Sequence, residues 1–150
     1  SSKLIEEFAY QMQINKQFVY YGKLDNKHSS TVETLSAIGL GSQKRNFDDT
    51  FSWQFSFHTV TFQEFLSVRY LREQKLNIEA IVYLVTDSFF WNLCIMLVGM
   101  LSNNTSDFQK QNKHSDSELL INVLKFLYQF YSKHNHQYYG YAYYMLLARR

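Results

Sequence analysis

Proline is absent from this 150-residue chain, and cysteine occurs once. Without proline nothing interrupts a helix from within. The single cysteine, Cys94, excludes a disulfide framework inside the chain and fits a reducing compartment. It sits in an apolar run and reads as a small buried hydrophobe. Glycine is scarce at five residues, and none belongs to a Gly-x-x-x-x-Gly-Lys-(Ser/Thr) phosphate loop. No strand ends in paired carboxylates for magnesium, so this stretch does not bind and hydrolyse a nucleotide alone. Charge of one sign is also missing: the net charge of +2 leaves no electrostatic footprint for nucleic acid. Lys44-Arg45 and Arg149-Arg150 read as solvated ends. The longest apolar run, Phe89 to Leu101, contains Asn92 and falls short of the ~20 residues that span a bilayer. Ser1 to Glu7 lacks the pattern of a signal peptide. Without a secretory signal, the sequons at Asn103 and Asn104 carry little weight.

Catalytic and metal spacings are missing too. His134 and His136 diverge on a helix and have no neighbouring Cys or carboxylate, so no metal site is expected. Asp107, Asp116 and Glu118 read as loop and cap residues, and no nucleophile–His–acid spacing stands out. The tyrosines from Tyr138 to Tyr144 lack interleaved Lys or Arg and suit packing or a partner surface better than base stacking.

What the chain has in abundance is apolar and aromatic surface: 46% hydrophobic and 18% aromatic residues, with thirteen Phe and twelve Tyr. That is ample for a folded core. The most informative stretch runs from Phe51 to Leu71. Phe51, Trp53, Phe55 and Phe57 alternate with Ser52, Gln54, Ser56 and His58, the period of a half-buried strand. A helix follows, with a capping box expected at Thr61 and Glu64 and a hydrophobic staple at Val60 and Phe65. Phe62, Phe65 and Leu66 would form its apolar band, with Val68 and Leu71 outside it.

Around this stretch the elements fall in order. Lys3 to Gln13 reads as a helix with Leu4, Ile5, Phe8 and Met12 on one face, widened by Ala9 and Tyr10. Phe18 to Tyr21 is β-prone and stops at Gly22. A second capping box at Ser30 to Glu33 opens a helix that packs Val32, Leu35 and Ile38 inward and stops at Gly39 or Gly41. Ser42 to Phe47 suits a strand, with a turn at Asp48 to Thr50. Asn77 to Thr86 and Phe89 to Leu101 read as helices, the second holding Gly99 for a close helix approach. Ser102 to His114 reads as a polar loop. A third capping box at Ser115 to Glu118 opens a helix carrying Leu120, Leu124, Leu127 and Tyr131, and a last helix ends the chain. The expectation is a mainly α protein with a small β-hairpin (α+β): a winged-helix domain over residues 1–60, the hairpin being the wing, and an all-helical domain over residues 61–150.

Phe55-Ser56-Phe57, Thr61-Phe62-Gln63-Glu64-Phe65-Leu66 and Arg69-Tyr70-Leu71 together resemble the winged-helix end of the NACHT module. That module occurs in NOD-like receptors and related signal-transducing NTPases, where the pattern runs Phe-x-His-x-(Ser/Thr)-Phe-Gln-Glu-(Phe/Tyr). Phe90-Trp91-Asn92-Leu93 followed by Leu97-Val98-Gly99-Met100-Leu101 is similar to the family's Trp…Ala-Gly-Leu segment. The resemblance covers residues 3–135. It implies a non-catalytic regulatory segment in a cytoplasmic signalling ATPase of innate-immune type. ADP or ATP would be shared with an upstream nucleotide-binding domain not in this chain. Closed and open states would control self-oligomerisation and binding of protein partners, with no nucleic acid and no membrane span expected. In the family the His of Phe-x-His reaches the β-phosphate of ADP. Thr59 stands at that position here, and His58 lies one residue earlier, on the opposite side of an extended chain. Thr59 and His58 are therefore the candidate nucleotide contacts. A bulge could re-aim His58, Thr59 could offer a weaker hydroxyl contact, or sensing could be lost. The rival readings are a free-standing winged-helix module that binds DNA or a protein, and a small all-helical interaction scaffold. Against DNA, the helix from Ser30 to Ile38 has no Lys or Arg to hold phosphates.

Overall fold

The computed structural model describes residues 2–23, 27–46, 52–74, 84, 86–102, 118, 121, 122, 124, 125 and 128. The chain is mostly helical with a small three-stranded antiparallel sheet, an α+β fold. In order come α1 (Ser2–Ile14), β1 (Tyr20–Lys23), α2 (Ser29–Ala37), β2 (Gly41–Arg45), β3 (Ser52–Phe57), α3 (Val60–Glu73), a 3-10 turn (Ser88–Phe90) and α4 (Trp91–Ser102). The chain divides into two compact units, Ser1–Tyr70 and Leu71–Arg150, the division falling inside α3.

In the first unit β3 is the middle strand, between β1 and β2. The expected hairpin is thus joined by a third strand: Tyr20 pairs with Phe55 and Gly22 with Trp53. On the other side Gly41 pairs with Phe57 and Arg45 with Trp53. Asn46 extends the β2–β3 ladder, its backbone N–H donating to Ser52 O at 3.2 Å and its Nδ2 to Ser52 Oγ at 2.8 Å. The alternation read from β3 holds in space. Trp53, Phe55 and Phe57 are buried, and Ser52, Gln54 and Ser56 are half-buried. Glycine at position 22 makes room for the indole, since a Cβ there would lie 2.5 Å from the Trp53 ring. The indole N–H donates to Lys23 O at 2.8 Å, which satisfies the one polar atom of a fully buried side chain.

α1 and α2 close over this aromatic face. Phe8, Ala9 and Met12 from α1 and Val32 and Leu35 from α2 join Trp53, Phe55 and Phe57 in one core. The rings meet edge-on or tilted, with Phe8 5.1 Å from Tyr20 and 5.9 Å from Phe55. Each large apolar side chain buried in this way contributes roughly 1.5–3 kcal/mol. Two residues expected inside are outside. Leu4 and Ile38 are both more than half exposed. Leu4 lies in the first turn of α1, ahead of the buried run, and Ile38 is the cap that ends α2.

α2 ends in a Schellman turn. Gly39 takes φ +81°, its N–H donates to Ser36 O, and the Leu40 N–H reaches back to Leu35 O. α1 ends with the same bonds, Lys16 to Gln13 O and Gln17 to Met12 O, but here Lys16 holds the left-handed position at φ +54°. The expected capping box at Ser30 to Glu33 does not form. α2 is capped two residues earlier, at His28 and without a side-chain bond, and Glu33 is exposed.

In the second unit Asp87 caps the 3-10 turn, its carboxylate accepting from the Phe89 N–H at 3.0 Å. α4 buries Leu93, Cys94, Leu97, Val98 and Leu101, one stripe at helical spacing. The Cys94 thiol faces Leu84 O at 3.7 Å, and burial pushes its pKa up to about 12. It is a packed, unreactive side chain, as its apolar surroundings suggest. The expected turn at Asp48 to Thr50, Phe51, most of the helix from Asn77, the loop from Asn103, His134, His136 and the tyrosine-rich tail lie outside the described residues. Glu118, Ile121, Asn122, Leu124, Lys125 and Tyr128 are helical.

Candidate functional site

The sequence points to the joint between β3 and α3, and the structure gives that joint two residues. β3 ends at Phe57, where the His58 N–H still donates to Leu40 O at 3.0 Å. α3 begins at Val60. His58 and Thr59 are both exposed. They are neighbours in the joint, but their side chains are committed differently. Thr59 Oγ1 accepts from the Phe62 N–H at 3.4 Å while Thr59 O accepts from the same group at 3.2 Å. Thr59 is therefore the cap of α3, and the box expected at Thr61 and Glu64 is displaced because the helix starts sooner. Among the described residues, the His58 imidazole has no hydrogen-bond partner. It offers solvent one ring N–H donor and one ring nitrogen acceptor when neutral. Among the described residues neither is bonded to a base or carboxylate, and the joint offers hydrogen-bonding groups rather than an activated nucleophile.

α3 itself is seated the opposite way to its apolar pattern. Gln63, Glu64, Ser67, Val68 and Leu71 are buried, while Val60, Phe62 and Phe65 are about two-fifths exposed. The expected apolar band thus faces outward, except for Leu66 at the edge of the core. The reason lies in α1. Gln63 Nε2 donates to Gln13 Oε1 at 2.9 Å and to Gln17 O at 3.0 Å, and Ser67 Oγ donates to Gln63 O at 2.6 Å. Glu6, itself buried, pairs with Arg69 Nε at 3.0 Å, and Tyr10 stacks on Tyr70 at 4.9 Å. The Arg69 guanidinium also lies 6.0 Å over the Phe65 ring. α1 presents Glu6, Tyr10 and Gln13 at spacings of four and three, one helical row, and the turn that follows α1 adds the Gln17 carbonyl. Against that polar row, a polar face of α3 is the complementary one.

Glu64 is buried, and among the described residues its carboxylate has no hydrogen-bond or ion-pair partner. Burial raises its pKa above the ordinary carboxylate value. Gln13 and Gln63 escape sequence reasoning because a glutamine at helical spacing looks like a solvated residue until its partner is known, and the Gln17 contact escapes it because the acceptor is a backbone carbonyl. Lys16 escapes it too, since nothing local marks a lysine for the left-handed position. Among the described residues, no group of three His, Cys, Asp or Glu side chains could hold a metal ion, and no helix is long and apolar enough to cross a membrane. Comparisons with known protein families, with curated proteins and with solved structures find no match for this chain.

Proposed function

We propose that this chain is a regulatory, non-catalytic segment of a NACHT-type signalling ATPase of the NOD-like receptor kind. In this reading Ser1–Tyr70 is centred on a winged helix, and a helical domain follows. ADP or ATP sits on an upstream nucleotide-binding domain, and the β3–α3 joint senses which is bound. The ADP state holds the segment closed; exchange to ATP opens it and permits self-assembly. A ligand can shift such an equilibrium only through contacts that differ between the two states. The joint is where this segment would make them.

The observation that carries the reading is the order helix, strand, helix, strand, strand, with β3 central in the sheet and running straight into α3 through two exposed residues. Thr59 occupies the family's His position, and its hydroxyl is engaged in capping. His58 has the uncommitted polar atoms. The nucleotide contact is therefore assigned to His58, with Thr59 shaping the joint. The test is calorimetric titration of ADP into the longest natural chain containing residues 1–150, beside its His58→Ala and Thr59→Ala variants. His58→Ala should weaken binding by roughly 1 kcal/mol, one lost hydrogen bond, and Thr59→Ala by less. Absence of ADP binding, or indifference to both substitutions, would remove the nucleotide latch from this segment.

A further inference from the structure

α3 meets α1 and the turn after it mostly through polar groups, Gln63 with Gln13 and the Gln17 carbonyl and Arg69 with Glu6, while Val68 and Leu71 are buried outside the aromatic core. Opening α1 or α2 would expose Phe8, Met12, Val32 or Leu35, all buried in the aromatic core. Opening α3 from α1 frees Gln63 and Arg69, which water solvates well, and uncovers Leu66 only at the edge of the aromatic core. The hydrogen bonds lost to Gln13 and Gln17 are replaced by bonds to water, so each is worth far less net than a buried ring. Phe62 and Phe65 lose little, since they already face solvent. Stability within a fold is uneven, and the elements with the fewest buried apolar contacts open first.

We infer that α3 is a releasable helix: it leaves α1 while the sheet and its core stay folded, and the Gln63 hydrogen bonds to Gln13 and Gln17 with the Glu6–Arg69 ion pair are the catch. The Lys16 turn is part of the device, because it aims the Gln17 carbonyl at Gln63. Release would change the course of the chain directly after His58 and Thr59. The inference rests on the α1–α3 contacts and does not need the nucleotide latch.

The test is residue-resolved amide hydrogen exchange on the 150-residue chain. α3 amides between Glu64 and Tyr70 should exchange through an opening at least about tenfold more populated than the one that exposes β3. Gln63→Ala should speed exchange in α3 roughly a further tenfold, for two lost hydrogen bonds, and leave β3 unchanged. Arg69→Ala, which takes this partner from the buried Glu6 carboxylate, should give the same pattern. A common exchange rate for α3 and β3 in the parent, an equal rise in both elements, or no rise in α3 for either variant would overturn the inference.

Discussion

β3 and α3 are consecutive, separated by two residues, and they are held in place by different chemistry. β3 puts three aromatic rings into a core with α1 and α2, where burial of apolar area dominates. α3 meets the far side of α1 and the turn after it through two Gln63 hydrogen bonds, the Glu6–Arg69 ion pair and the Tyr10–Tyr70 stack. The same helix α1 serves both, with Phe8, Ala9 and Met12 on one side and Glu6, Tyr10 and Gln13 on the other. The difference teaches that polar contacts with α1 share the inward side of α3 with Val68 and Leu71, while Phe62 and Phe65 stay outside. Hydrogen bonds that water can replace cost little to release.

The sharpest way to break the contrast is to damage the core. Trp53→Ala removes a fully buried indole and leaves a cavity and an unpaired Lys23 carbonyl. It should lower the stability of the first unit by about 3–5 kcal/mol, read from urea unfolding. A loss under about 1 kcal/mol would mean that the aromatic face is not the main support.

A smaller and opposite effect is expected where the two regions meet. Lys16 holds a left-handed conformation that glycine adopts without penalty, at the turn that orients Gln17 toward Gln63. Lys16→Gly should raise stability by roughly 1 kcal/mol. A loss instead would place the value of Lys16 in its side chain rather than in the backbone.

The smallest effect is a pH dependence confined to the core side. His28 lies 5.3 Å from the Phe8 ring and 5.6 Å from that of Tyr20. Burial lowers its pKa below the ordinary 6.5, Lys27 lowers it further, and Glu7 opposes both. The unfolded chain therefore takes up a proton at a pH where the folded chain does not. Stability should fall as pH drops below about 6.5 and level off once the folded histidine is also protonated. His28→Gln should show a flatter profile between pH 7.5 and pH 5.5 in urea midpoints. Identical profiles would show that His28 senses no difference between the two states.

Much of the core side was legible beforehand. The alternation from Trp53 to Phe57, the stop at Gly39 and the burial of Phe8, Met12, Val32 and Leu35 all follow from local periodicity and turn chemistry. The joint was legible in position, since an alternating run gives way to a helical one near His58. The seat of α3 was not. Periodicity assigns apolar side chains to the inside, and here Phe62 and Phe65 are outside because the facing row of α1 is polar. That information resides fifty residues away, at Gln13. The caps were misplaced for a simpler reason. Serines and threonines cluster near both helix starts, and α2 and α3 begin earlier than the boxes at Ser30 and Thr61 suggest.

The most direct test of this account is a double-mutant cycle on Gln13 and Gln63, each changed to Ala alone and together, with stability read from urea unfolding. A bonded pair predicts a coupling of about 1 kcal/mol between the two sites. Additive losses, to within roughly 0.3–0.5 kcal/mol, would show that the glutamines do not hold α3, and the contrast between an apolar core and a polar-seated helix would fall.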